Sequence, residues 1–173
     1  VNGRLRFLSE QAAGLASEWT KIQPTSADQR QILAEVIKDS ILPQPPTATL
    51  YGKKTVKAKV MLEYGGYPFT LHEGGEGITV ALRFVDKESF QRSRSEALNS
   101  STTPSAEHLI VAVSAVPDGL VSELRDAYAS TRMIRELRGR SLGADEQDFF
   151  NSLNDRLRNS KARIESILRL AFD

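Results

Sequence analysis

The spacing of apolar residues changes abruptly at a proline cluster, and that change limits what the chain can fold into. Before Pro43, Pro45 and Pro46 the apolar residues recur at helical intervals, and after them they alternate. Proline lacks the amide hydrogen a helix needs and clashes with the turn before it, so this segment reads as an extended linker. Upstream, Ser9 is placed to cap a first helix that carries Ala12, Leu15, Trp19 and Ile22 on one face. Pro24 ends that helix. Ser26 with Gln29 forms a capping-box pair for a second helix, with Leu33, Val36, Ile37 and Ile41 on its apolar side.

Downstream the period is two. Over residues 55–63, Val56, Ala58, Val60 and Leu62 alternate with Lys57, Lys59 and Met61. Gly65-Gly66 suits a tight turn into 67–71, and a second glycine-rich turn at 74–77 leads into Ile78, Val80, Leu82 and Phe84. The expected arrangement is a three-stranded antiparallel meander with one oily face. Residues 87–98 are weakly helical, and 99–105 form a polar loop rich in Ser and Thr. Residues 108–113 are short and continuously apolar, as a strand buried on both faces should be, so 109–113 is expected at the centre of the same sheet. Pro117-Asp118-Gly119 opens a helix through Leu120, Leu124, Tyr128 and Ile134, and a last long helix follows 139–143.

The expected fold is therefore α+β with an α/β-like part. An N-terminal strand remnant and helical pair occupy 1–42. A mixed four-stranded sheet, made of the meander plus one central strand and flanked by helices, occupies 43–140. A long amphipathic helix occupies 141–173. The two ends read as cuts. Asn2-Gly3 resembles a hairpin turn before Leu5 and Phe7, which would need a partner strand upstream, and the final helix keeps its period with no Gly or Pro stop. Excision from a longer chain is the expectation.

Composition excludes several classes. The net charge of +1 exerts no global pull toward nucleic acid or a membrane surface, and with no cysteine there is no disulfide framework or thiolate chemistry. No apolar run approaches the roughly 20 residues a membrane span needs, and no signal-peptide pattern opens the chain, so a cytoplasmic protein is expected. No G-x-x-x-x-G-K-[ST] cradle is present, and the glycines at 74, 75 and 77 flank an acid that would repel phosphate. His72 and His108 have no second ligand three or four residues away, so no metal is expected. Ser114, His108 and Asp118 supply the residue types of a nucleophilic triad without a nucleophile elbow, and a loop serine with a helix-capping Asp118 explains both residues without catalysis. The junction 114–119 still matters by position, because the carboxyl ends of parallel strands are where α/β folds bind ligands.

Two basic clusters and one apolar seam remain. Lys53, Lys54, Lys57 and Lys59 open the first strand, and Arg132, Arg135, Arg138 and Arg140 crowd the tail of a helix. Phosphate contact is one reading; cations at a helix C-terminus and lysines guarding an edge strand are the plainer one. In the last helix, Phe150, Leu153, Leu157, Ile164, Ile167 and Ala171 form a coiled-coil-like seam interrupted at Ser160. Ile164, Ile167, Leu168 and Phe172 are expected to project as an interface strip, closing a homodimer in the isolated chain.

The stretch Leu5-Arg6-Phe7-Leu8-Ser9-Glu10-Gln11 resembles a strand-to-helix step in the large P-loop ATPase family of the BREX phage-defence system, the BrxC or PglY type. Tyr51-Gly52-Lys53 before a strand, the apolar strand at 109–113, the helix at 120–138 with Tyr128 and Thr131, and the closing Arg163-Ile164 helix are similar in order. The likeness covers most of the chain as an order of elements and includes no strict motif. It implies a segment of an ATPase whose nucleotide site lies upstream, working in phage exclusion with a methyltransferase and other subunits. None of the family's phosphate-binding residues has a counterpart here. The leading expectation is a non-enzymatic interaction or coupling module with no cofactor of its own. A DNA-contacting module and a free-standing enzyme with a site near 114–119 are the alternatives.

Overall fold

A computed structural model describes residues 10–50, 52, 54–75, 77–101 and 108–172. The expected cap at Ser9, the strand at Leu5 and Phe7, and Lys53 lie outside the described residues. The first two helices are α1 (Glu10–Lys21) and α2 (Ser26–Val36), the latter continued by a π-helical turn, Ile37–Ile41. The capping box of α2 sits one residue earlier than the sequence pattern implied. Thr25 takes an extended backbone (φ −75, ψ 166) and its hydroxyl accepts from the Asp28 amide at 3.2 Å, while the Thr25 amide donates back to Asp28 Oδ2 at 2.9 Å. Ser26 and Gln29 are inside the helix instead, because Thr25 is the N-cap residue and Asp28 its capping-box partner.

The Thr25 hydroxyl, donating to Asp28 Oδ2 at 2.7 Å, and then the Thr25 amide hold the Asp28 carboxyl below its ordinary value of 3.8. A depressed carboxylate stabilises the fold above its unfolded value and loses that contribution as pH falls through the folded one. Thr25→Ala is therefore expected to cost about 1 kcal/mol at neutral pH. The gap between the melts of the two proteins should narrow, without closing, as pH drops below 3.8, since the Asp28 amide still donates to the Thr25 hydroxyl in the wild type.

The strands after the prolines form two sheets. The segment reads as linker to Pro46, but 47–50 is already strand: β1 (Thr47–Leu50) pairs antiparallel with β2 (Lys54–Lys57) as a separate hairpin. The run expected as one strand over 55–63 is thus broken at Ala58, and β3 (Lys59–Tyr64) belongs to a second sheet. That sheet also holds β4 (Tyr67–His72), β5 (Ile78–Val85) and β6 (His108–Ala115), in the order β4-β3-β5-β6.

The sheet is mixed and four-stranded, but the antiparallel meander is not what forms. β3 and β4 make the hairpin across Gly65-Gly66, whose φ values of 64 and 82 are those of a turn that glycine adopts without strain. β5 then pairs with β3 in parallel, Leu62 opposite Leu82, rather than antiparallel to β4. The expected hairpin turn between β4 and β5 is consequently not formed: the two strands lie on opposite sides of β3, and Gly74 and Gly75 follow the edge strand toward that crossing. Gly74 packs so tightly there that an added Cβ would lie 2.1 Å from the Lys59 nitrogen. The Gly75 amide donates to the Lys57 carbonyl at 3.0 Å, fastening the crossing to the β2–β3 junction.

From β5 a short turn leads into α3 (Phe90–Ser101), which runs past the expected loop start, and the chain returns as β6, parallel to β5. The strand at 109–113 is therefore an edge and not the centre of the sheet. α4 (Leu120–Leu137) and α5 (Ala144–Ala171) complete the fold.

The main core joins Leu33 of α2 and Ile37 of the π-helical turn to Val60 and Leu62 of β3, Leu71 of β4, Phe84 of β5, Leu120 and Leu124 of α4, and Ile164 and Leu168 of α5. The interface strip expected at the end of α5 is accordingly core at Ile164, Ile167 and Leu168, while Phe172 stays 39% exposed. Ile164 and Leu168 are 0% and 1% exposed, Ile167 packs against the same cluster, and Phe172 meets Phe84 edge-on at 5.3 Å between ring centroids. Ser160 does not interrupt anything: it is buried within a continuous helix. A second cluster joins Met133, Ile134 and Leu137 of α4 to Leu153 of α5 and to α1. There Trp19 lies between the guanidinium groups of Arg125 and Arg156, 4.2 and 4.8 Å from its ring centroid, and donates to the buried Ser130 hydroxyl.

Candidate functional site: a strand-end cleft and a free sheet edge

Because β3, β5 and β6 are parallel, their carboxyl ends meet at one pole of the sheet. From β3 the chain turns outward to β4, and from β5 it turns the other way to α3. The gap between those two strand ends is the position at which open α/β sheets accommodate ligands. A cleft of about 490 Å³ occupies it. Its walls come from the Tyr64-Gly65-Gly66 turn, from Phe84-Val85-Asp86, from Ser89 and Ser93 around the start of α3, from Val116 and Val121, and from Ser26 and Gln29 of α2. The α2 start reaches the cleft because Gly65 leaves room for it: a Cβ there would stand 3.1 Å from the Ser26 Cβ.

The Tyr64 hydroxyl donates to Gln29 Oε1 at 3.0 Å. Burial, with the Asp86 carboxylate adding to it, pushes that phenol above its ordinary value. The junction at 114–119 flanks the cleft through Val116, so its position was legible from sequence. The residues facing it were not, since Gln29, Tyr64, Asp86 and Ser93 come from four separate elements. The signal that existed was the pair of short polar turns, Asp86 and Asp118, each following the end of an apolar strand.

Ser114 and His108 make no catalytic pair. They lie at opposite ends of β6, about 20 Å apart at the rise of a strand. The Ser114 hydroxyl donates to the neighbouring Ala115 carbonyl at 2.8 Å, and Asp118 pairs with Lys87 at 2.7 Å.

The second feature is the outer edge of β6. The His108 amide donates to Gly77 and the Val116 amide to Val85, so the even-numbered residues face β5. Alternation then turns the amides and carbonyls of Leu109, Val111 and Val113 outward. Among the described residues no strand pairs with them. Leu109 and Ile110 are 51% and 57% exposed, on opposite faces of the strand. Beside the edge, α3 and β6 enclose a groove of about 330 Å³ lined by Phe90, Ala97, Leu98, Leu109, Val111 and Val113, with Arg94 at its rim. Natural edges are usually guarded by lysine, proline or a bulge. This one has no such guard over His108–Ala115.

The two basic clusters ride on different cores. Lys54 and Lys57 are exposed on the β1–β2 hairpin, whose Val56 packs with Ala58 and Ile78, and Lys59 is half-buried at the start of β3. Arg132, Arg135, Arg138 and Arg140 are exposed at the end of α4, above the α1–α4–α5 cluster. Arg132 is held by Glu136 at 2.9 Å, which raises its pKa further.

Among the described residues no group of three or more His, Asp and Glu side chains is placed to hold a metal ion, and no helix is long and apolar enough to cross a membrane. Set against protein-family models, curated proteins and solved structures, the chain matches none.

Proposed function

We propose that this chain is a non-catalytic interaction module that takes up an extended segment of a protein partner, or of its own parent chain, along the β6 edge. The observation that carries this reading is the eight-residue, mainly apolar strand whose outer edge pairs with no strand among the described residues, beside the α3–β6 groove. Strand addition uses outward main-chain groups for affinity and a neighbouring groove for alternate side chains, and this edge offers both. The resemblance to the BREX ATPase family supplies a setting, a phage-exclusion assembly in the cytoplasm in which such a module would couple or join subunits.

Peptide display on the folded chain tests the reading. Selected ligands should carry apolar residues at alternate positions. Val111→Pro should remove binding while keeping the fold, because the lost amide points away from β5. Ile110→Lys should do the same by guarding the edge. Binding that survives both variants, in proteins with unchanged circular dichroism, would contradict strand addition.

A second reading, contact with DNA, is favoured by the exposure of Arg135, Arg138 and Arg140 together at the end of α4. Binding of that kind would be independent of sequence and would weaken steeply with salt. Replacing Arg132, Arg135 and Arg138 with Glu is expected to abolish retention of a duplex at low salt, and retention by the triple variant would remove this helix from consideration.

A further inference from the structure

We infer that the cleft between the carboxyl ends of β3 and β5 binds a small, uncharged, hydroxyl-bearing ring, a sugar or the ribose of a nucleoside. Its place in the fold is the first ground. The chain leaves β3 toward β4 and leaves β5 toward α3, so the two strand ends diverge at the topological switch point of the parallel part of the sheet. A volume of about 490 Å³ is within the range of small-molecule sites.

The second ground is the inventory of polar groups. Gln29 Oε1 is taken by the Tyr64 hydroxyl, which leaves its amide NH₂ as a donor. Among the described residues no side-chain hydrogen bond or ion pair engages the Asp86 carboxylate or the hydroxyls of Ser26, Ser89 and Ser93, which line the cleft, with Ser26, Asp86 and Ser89 exposed and Ser93 half-buried. The site thus offers a free donor and a free carboxylate acceptor together. A ligand hydroxyl accepts from the one and donates to the other. An ammonium group would leave the Gln29 donor unanswered. A phosphate or carboxylate would meet Asp86 with no lysine or arginine among the described lining residues to offset it. Phe84, Val116 and the half-exposed Val121 line the cleft with apolar surface that suits the C–H face of a ring.

The test is an amide-resolved titration of the isotope-labelled chain with glucose, glucosamine, glucose 6-phosphate and adenosine. Glucose or adenosine should shift the amides of Gly65, Gly66, Asp86 and Val116 with a Kd of about 1 mM or tighter. Asp86→Ala should weaken that binding at least about tenfold with the rest of the spectrum unchanged, since it removes the acceptor for the ligand hydroxyls. Tighter binding of adenosine than of glucose identifies a nucleoside site, and the reverse a free-sugar site. Three results would overturn the inference: no shift at tens of millimolar with either neutral compound, tighter binding of glucosamine or glucose 6-phosphate than of glucose, or unaltered affinity in Asp86→Ala.

Discussion

Ile164→Asp should unfold the protein. The side chain is 0% exposed in the cluster that joins α2, the sheet, α4 and α5. An aspartate there either buries an uncompensated charge or opens the cluster to water, and each route costs at least about 4 kcal/mol. Domains of this size have only about 5–15 kcal/mol of net stability. The far-ultraviolet signal should therefore collapse near room temperature, or the melting temperature should fall by more than roughly 10 °C. Had α5 presented Ile164 and Ile167 to a second copy, the same change would give a folded monomer with native stability. A cooperative melt at the wild-type temperature would show that the helix does not lie as described.

The second large effect is at Gly74. A methyl group there would lie 2.1 Å from the Lys59 nitrogen and 2.4 Å from the Ala58 carbonyl carbon, against main chain that cannot rotate away. Gly74→Ala must push the crossing segment off the β2–β3 junction, which strains the Gly75 amide bond to Lys57 as well. The expected loss is about 3 kcal/mol, or roughly 10 °C in a melt. Gly14→Ala serves as the control, since its Cβ would meet nothing within 4 Å and alanine favours a helix. Equal melting temperatures for the two variants would contradict the tight crossing.

Gly74 also explains where the sequence stops being informative. Alternation told correctly which residues of 55–63 face a core, because period two is local; in β5 it missed Ala81, which is buried on the opposite face. It does not tell whether β5 lies beside β4 or crosses to the far side of β3, since either placement buries the same residues. The deciding contact is backbone against backbone, between residues fifteen positions apart, and no side-chain pattern records it. The two N-terminal helices and the long terminal helix were legible for the same reason that the faces of the strands were. Thr25 and Ser26 are both good caps, and the Asp28 carboxylate, which closes a box with Thr25, marks the one that forms.

The run at 108–113 was misplaced for a more interesting reason. Continuous apolar character marks a strand covered on both faces, and in this fold that strand is at the edge with Leu109 and Ile110 exposed on opposite faces. A pattern suited to burial at a place left uncovered is the expected mark of a surface that is covered on binding. The terminal seam failed the other way: its period is that of any buried helix, and Ser160, taken as a break, is a small residue buried within it. The cleft was legible only through one of its walls, because the groups that give it chemistry are far apart in sequence.

Amide hydrogen exchange along β6 tests strand addition most directly. In the isolated chain the amides of Leu109, Val111 and Val113 should exchange fast, while those of Ile110, Ala112 and Ser114, directed at β5, should be protected. With a saturating display-selected peptide, the three outward amides should become protected together and the inward ones should change little. Outward amides already as slow as the inward ones in the isolated chain, or unchanged when the peptide is bound, would contradict the account.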